Sequence, residues 1–166
     1  MRRADPATDD PNELRVAVDR LSRLLSSRRA YSRLIEAAGA DLSQQGATLL
    51  VQLYRNGEPQ TLTALAKHAH MDLSSASRQL RELEQANLIS RVPDKEDRRV
   101  THLRFTPQGR RLAKRLVDVR RGHLERTVAS WPPEKRALFA QLINEFVDAL
   151  TTTEVSPVEA PRARRR

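Results

Sequence analysis

The residues best equipped for chemistry stand in two short groups. The first is Ser74-Ser75-Ala76-Ser77-Arg78, with Arg81 three residues on; the second is Pro93-Asp94-Lys95-Glu96-Asp97-Arg98-Arg99. Neither pairs a nucleophile with a base. Small hydroxyls followed by guanidinium groups instead suit contact with a polyanion: serine lets a helix end approach phosphate, and arginine forks onto guanine O6 and N7. In the second group an acid stands beside adjacent arginines and can hold one of them in a fixed pose, which suits an arginine that enters a minor groove. Two plainer roles compete, a solvated helix face for the first group and a charged tip that blunts strand pairing for the second.

The whole chain agrees with a polyanionic partner. Its 166 residues carry 30 Lys and Arg against 21 Asp and Glu, a net charge of +9, and such a field concentrates phosphate near the surface. Aromatic residues make up only 4%, with five glycines and no cysteine. Helix is therefore expected to dominate, and disulfide and thiolate-zinc chemistry are excluded. The four histidines, His68, His70, His102 and His123, do not share one helical face, so no metal and no cofactor is expected. No glycine-rich phosphate loop, H-E-x-x-H or G-x-S-x-G motif occurs, which argues against an enzyme. No apolar run is long enough to cross a bilayer, so a cytoplasmic protein without membrane contact is expected.

These groups need elements to position them. Leu14, Val18, Leu21, Leu25, Leu34 and Ile35 predict one long helix ending near Gly39. Ser43 opens a second helix with Leu49, Leu50 and Leu53, and Asn56-Gly57 stops it. Thr61 caps a short third helix, and Asp72 caps a fourth that ends at Ala86 with Asn87 after it. On that fourth helix Leu73, Ala76, Leu80 and Leu83 fall on one side, with Ser74, Arg78 and Arg81 opposite and Ser75 and Ser77 at the flanks. Leu88 to Val92 and Val100 to Phe105 read as a hairpin whose tip is the charged second group. Thr106-Pro107 starts a further helix, and Pro132-Pro133 precedes the last, with Trp131 at the joint. Three short helices followed by a hairpin form a winged helix-turn-helix, whose third helix enters the DNA major groove.

From Leu42 to Gly109 the chain resembles the MarR family of bacterial transcription regulators. The resemblance runs through Leu42-Ser43-Gln44-Gln45, Gly57-Glu58-Pro59, Thr61-Leu62-Thr63-Ala64-Leu65-Ala66, Ser74-Ser75-Ala76-Ser77-Arg78, Leu83-Glu84-Gln85-Ala86-Asn87-Leu88-Ile89, Pro93-Asp94-Lys95-Glu96-Asp97-Arg98-Arg99 and Leu103-Arg104-Phe105-Thr106-Pro107-Gln108-Gly109. Where the family usually has glycine, this chain has His70 and Asn87, both tolerant of positive φ.

The resemblance implies a mainly α-helical homodimer. Residues 12–40 and 107–151 would be dimerisation helices, residues 42–106 the DNA-binding lobe, and residues 1–11 and 152–166 disordered arms. By position, Ser74, Ser75, Ser77 and Arg78 would meet the major groove and Arg99 the minor groove, with Asp97 orienting it and Lys95 and Arg98 near phosphate. Arg28, Arg29 and Ser32 interrupt the first apolar stripe, with Tyr31 alongside; in such proteins a small aromatic acid or phenol commonly binds between the dimer helices and the winged lobe, though the same arginines also suit a dimer interface. The expected function is sequence-specific regulation of transcription, with repression relieved by a ligand. The competing readings are a nonspecific architectural DNA binder and a helical interaction dimer.

Overall fold

The computed structural model describes residues 11–154 apart from Lys95 and Arg98. The two arms expected at the ends lie almost wholly outside the described residues. In chain order the elements are α1 (Pro11–Leu25), α2 (Arg28–Ala37), α3 (Gln44–Asn56), β1 (Gln60–Thr61), α4 (Leu62–His68), α5 (Leu73–Gln85), β2 (Ile89–Pro93), β3 (Thr101–Phe105), α6 (Pro107–Thr127) and α7 (Pro133–Thr152). The chain divides into two compact units within α6, at His123 and Leu124.

The first unit is the winged helix. Its core is leucine: Leu49, Leu50 and Leu53 of α3, Leu65 of α4, Leu80 and Leu83 of α5 and Leu103 of β3 are all fully enclosed. Each removes enough apolar surface from water to stabilise the fold by about 2 kcal/mol. Short polar side chains set where the helices begin. Ser43, Thr61 and Asp72 each adopt an extended backbone and accept the amide three residues on, from Gly46, Ala64 and Ser75. Thr106 does the same for Gly109 at 3.0 Å and opens α6. The antiparallel sheet has the order β1-β3-β2.

Three features depart from the sequence reading. The expected long first helix is broken at Ser26-Ser27, where the Ser27 hydroxyl accepts the Ala30 amide at 3.4 Å and starts α2 afresh. A serine that bonds its own backbone competes with helix continuation, and the apolar stripe lapses between Leu25 and Leu34 before it resumes in α2. Secondly, Gln60 and Thr61 form a third strand against Leu103 and His102, too short to show as alternation. Thirdly, Leu73 is 52% exposed while Gln79 is buried. Leu73 lies in the first turn of α5, beyond the reach of the core, whereas Gly46 of α3 leaves room for Gln79, whose Oε1 accepts the Ser43 hydroxyl.

One junction ties the lobe together. Asn87 ends α5 with φ of 55°, and the Leu88 carbonyl then accepts the Thr106 amide at 3.1 Å. The Thr106 hydroxyl donates to the Asn87 carbonyl at 2.7 Å. Gly109 passes so close that a Cβ there would stand 1.7 Å from the Leu88 oxygen. Arg115 closes the other end by donating Nε to the Ala38 carbonyl at 3.0 Å, beside the C-terminus of α2.

The second unit holds the end of α6 and α7. Trp131 meets Phe139 edge to face at 5.3 Å, Lys135 lies over the same indole at 4.7 Å, and Arg136 donates Nε to the Trp131 carbonyl at 2.9 Å. The aromatic residue thus fixes the joint before α7. None of the described α7 residues is buried, and Leu138, Phe139, Leu142, Val147 and Leu150 are all exposed.

Gly109→Ala should destabilise the lobe by about 3 kcal/mol or more, because backbone rather than a pliable side chain occupies the space. Thermal unfolding checks this, and an unchanged midpoint would refute the close approach.

Candidate nucleic-acid interface

The outward face of α5 is built from its cap upward. The turn before it is closed by the His70 amide to the Lys67 carbonyl and the Met71 amide to the Ala66 carbonyl, with His70 at φ of 50°. Asp72 Oδ1 then accepts both the Ser74 hydroxyl at 2.5 Å and the Ser75 amide at 2.8 Å. These two bonds hold the Asp72 carboxyl well below the usual carboxylate range, the Ser74 hydroxyl having the larger effect. With its proton committed to Asp72, Ser74 must release that bond before it can donate to a phosphate. Ser74, Arg78 and Arg81 are exposed, Ser75 and Ser77 are half-buried, and Ala76, Leu80 and Leu83 face the core.

Two links fix the rotation of this helix. The Ser43 hydroxyl accepts the Gly46 amide at 2.9 Å while donating to Gln79, so the cap of α3 is also a clamp on α5. At the far end Glu84 holds Arg91 of β2 at 2.8 Å. Glu58 ties the other edge of the sheet, accepting the Phe105 amide at 2.6 Å and pairing with Arg110.

The wing tip is a chain of side-chain caps. Asp94 Oδ1 accepts the amides of Glu96 at 2.8 Å and Asp97 at 3.0 Å. Asp97 Oδ1 in turn accepts the Arg99 amide at 2.9 Å, so Asp97 fixes the Arg99 backbone, leaving the exposed guanidinium to extend from it. Lys95 and Arg98, also expected at this edge, lie outside the described residues. The Asp94 carboxyl is lowered from 3.8 to about 2, chiefly by the Asp97 and Glu96 amides and then by His102.

A cleft of about 670 Å³ opens beside α5, bordered by Arg28 and Ser32 of α2, the cap residue Ser43, Thr48 of α3, Met71 and Arg78. The structure thus brings Arg28 and Ser32 together at one cavity. Tyr31 stands behind it, its hydroxyl 3.2 Å from Thr48 Oγ1, and lines a separate void of only about 20 Å³. Sequence spacing on α2 could not show which of the three would face the opening. Gln79 and His102 were also missed, Gln79 because its partner Ser43 is far off in the chain and His102 because its partner Asp94 lies across the wing tip. Among the described residues no His, Asp and Glu cluster could hold a metal ion, and no helix is long and apolar enough to span a membrane.

This architecture defines a winged helix-turn-helix protein. The family model described as MarR family matches residues 42–101. The chain is 30% identical over 119 residues to the uncharacterized HTH-type transcriptional regulator YxaD of Bacillus subtilis, covering 72% of this chain and 82% of that protein. Its fold is similar to that of Streptococcus pneumoniae FabT, solved in complex with DNA, at TM-score 0.67 and 19% identity over 84% of this chain and 94% of FabT. A MarR family protein from Bacillus stearothermophilus matches at TM-score 0.71 and 16% identity, covering 86% of this chain and 99% of that one. The chain belongs to the MarR family, a family of DNA-binding transcription regulators rather than enzymes.

Because the Asp72 and Asp94 carboxyls titrate lower in the fold than in the unfolded chain, their contribution to stability is complete above about pH 4 and is lost as pH falls, through about 2 for Asp94. In an NMR acid titration the Glu96 and Asp97 amides should follow that lower midpoint. A midpoint at the ordinary value of 3.8 would mean that Asp94 does not cap the turn.

Proposed function

We propose that the chain acts in the cytoplasm as a homodimer that occupies a pseudo-palindromic operator and represses transcription. One observation carries this reading: two basic edges, the Arg78 and Arg81 face of α5 and Arg99 of the wing, belong to a single compact unit whose caps and clamps fix both. The α5 face would lie in the major groove and Arg99 in the adjacent minor groove, with Lys95 and Arg98 near phosphate. That FabT was solved with DNA supports the choice of partner.

The apolar faces of α1 and α7 favour a second copy as their cover. Leu14, Val16, Leu21, Leu24 and Leu25 are exposed on α1, as are the five large residues already named on α7. So much apolar surface is seldom left to water in a monomer. The helices within residues 12–40 and 107–151 would then form the dimer, setting two α5 helices about one DNA turn apart.

The cleft offers a route for release. Arg28 and Arg78 border it together with Ser32 and Thr48, a lining that suits the carboxylate of a small aromatic acid, or a phenolate. A ligand held there would draw on Arg78, which the operator also needs. Its leverage equals its difference in affinity between the free and DNA-bound arrangements.

Operator selection from a random duplex pool, followed by titration at fixed salt, tests the reading. Arg78→Ala should cost about 1–3 kcal/mol and relax base preference, and Arg99→Ala should weaken binding with less change in that preference. Preference for the selected site should reach roughly 10³ over scrambled duplex, whereas an architectural binder would show none. Leu142→Glu should convert a dimer in sedimentation to a monomer; a monomeric parent protein would contradict the assembly.

A further inference from the structure

His102 is a polar residue that the DNA-contact assignment leaves unused. It sits in the central strand β3, opposite Thr61 of β1 and Val92 of β2. Its Nδ1 is shut off from solvent and has no hydrogen-bond partner among the described residues. Its Nε2 lies 2.8 Å from Asp94 Oδ2. Placing the ring proton on Nδ1 would bury an N–H without an acceptor and set two lone pairs against each other at Nε2; placing it on Nε2 makes a charge-assisted bond and leaves only a lone pair buried. The surroundings therefore select the Nε2–H tautomer.

That bond continues into the wing. Asp94 uses Oδ2 for His102 and Oδ1 for the Glu96 and Asp97 amides, so the imidazole fixes the plane of the carboxylate that shapes the turn. The Asp94 amide donates to the Val100 carbonyl and the Val100 amide to the Asp97 carbonyl, both at 2.9 Å. Asp97 then holds the Arg99 amide. Without the imidazole, Asp94 keeps its amides but its carboxylate is free to rotate about them, and the turn loses its side-chain tie to β3.

We propose that His102 is a positioning residue for the wing: through Asp94 and Asp97 it fixes the direction in which Arg99 leaves the tip, and so sets the strength of the minor-groove contact. This rests on the reading that Arg99 contacts DNA. It assigns to His102 a task that does not require it to touch the duplex.

The test uses the full chain and the duplex selected for it. His102→Leu, which fits the space but cannot donate, should lower affinity about tenfold, close to the loss from Arg99→Ala. The double variant should bind within about twofold of Arg99→Ala alone, because both changes remove one contact. His102→Gln, which can present an N–H near the Nε2 position, should recover most of the loss. Base preference at the positions lost in Arg78→Ala should stay unchanged in every His102 variant. Nitrogen NMR of the unaltered protein should show the neutral His102 ring protonated at Nε2 with Nδ1 bare, a readout that holds even if His102→Leu fails to fold. Wild-type affinity in His102→Leu, losses that multiply in the double variant, or a neutral ring with its proton on Nδ1 and Nε2 bare would each overturn the proposal. A pool that yields no preferred duplex overturns the operator reading itself, and this role for His102 with it.

Discussion

The contact between the Leu88 carbonyl and the first turn of α6 is the constraint on which the lobe depends. Leu88 follows directly from the left-handed turn at Asn87 that ends α5 and leads directly into β2. The same carbonyl takes the Thr106 amide, and Gly109 lets the α6 backbone pass at a distance no side chain would permit. The end of α5, the wing and α6 therefore meet within a few ångströms of one peptide. A displacement of α6 is transmitted to both basic edges together, since packed backbone has little room to absorb it.

Around that junction the acids of a strongly basic chain act mainly as internal fasteners. Asp72 caps α5, Glu84 joins α5 to β2, Glu58 holds the amide of Phe105, and Asp94 and Asp97 shape the tip. Each negative charge is satisfied by an amide or a cation of the same lobe. The exposed cations of α5 and of Arg99 are then left to project outward, where their field adds rather than cancels.

Local chemistry was legible from sequence and long-range pairing was not. The caps at Ser43, Thr61, Asp72 and Thr106, the turns at His70 and Asn87 and the alternation of the hairpin strands all depend on residues within four positions of each other. The break at Ser27 was hidden because the lapse in the apolar stripe after Leu25 reads equally well as a polar patch on one continuous helix. The burial of Gln79 depends on Gly46, more than thirty residues earlier, and a leucine at position 73 satisfied the helical period while standing clear of the core. At the site, the serine and arginine face of α5 could be read from a 100° turn per residue. The grouping of Arg28, Ser32 and Arg78 around one cleft could not, since it depends on how α2 packs beside α3 and α5.

The central claim is that α5 and the wing engage one duplex at the same time. The chain contains no cysteine, so Ser77→Cys and Glu96→Cys each provide a single attachment point for an iron-EDTA cleavage reagent. Bound to the selected duplex, the probe on α5 should cut from the major-groove side, and the probe on the wing should cut about 5 base pairs away, half a turn along in the minor groove. The pattern should be repeated on both halves of the site. Cleavage from only one of the two probes, or diffuse cutting from both, would contradict simultaneous engagement.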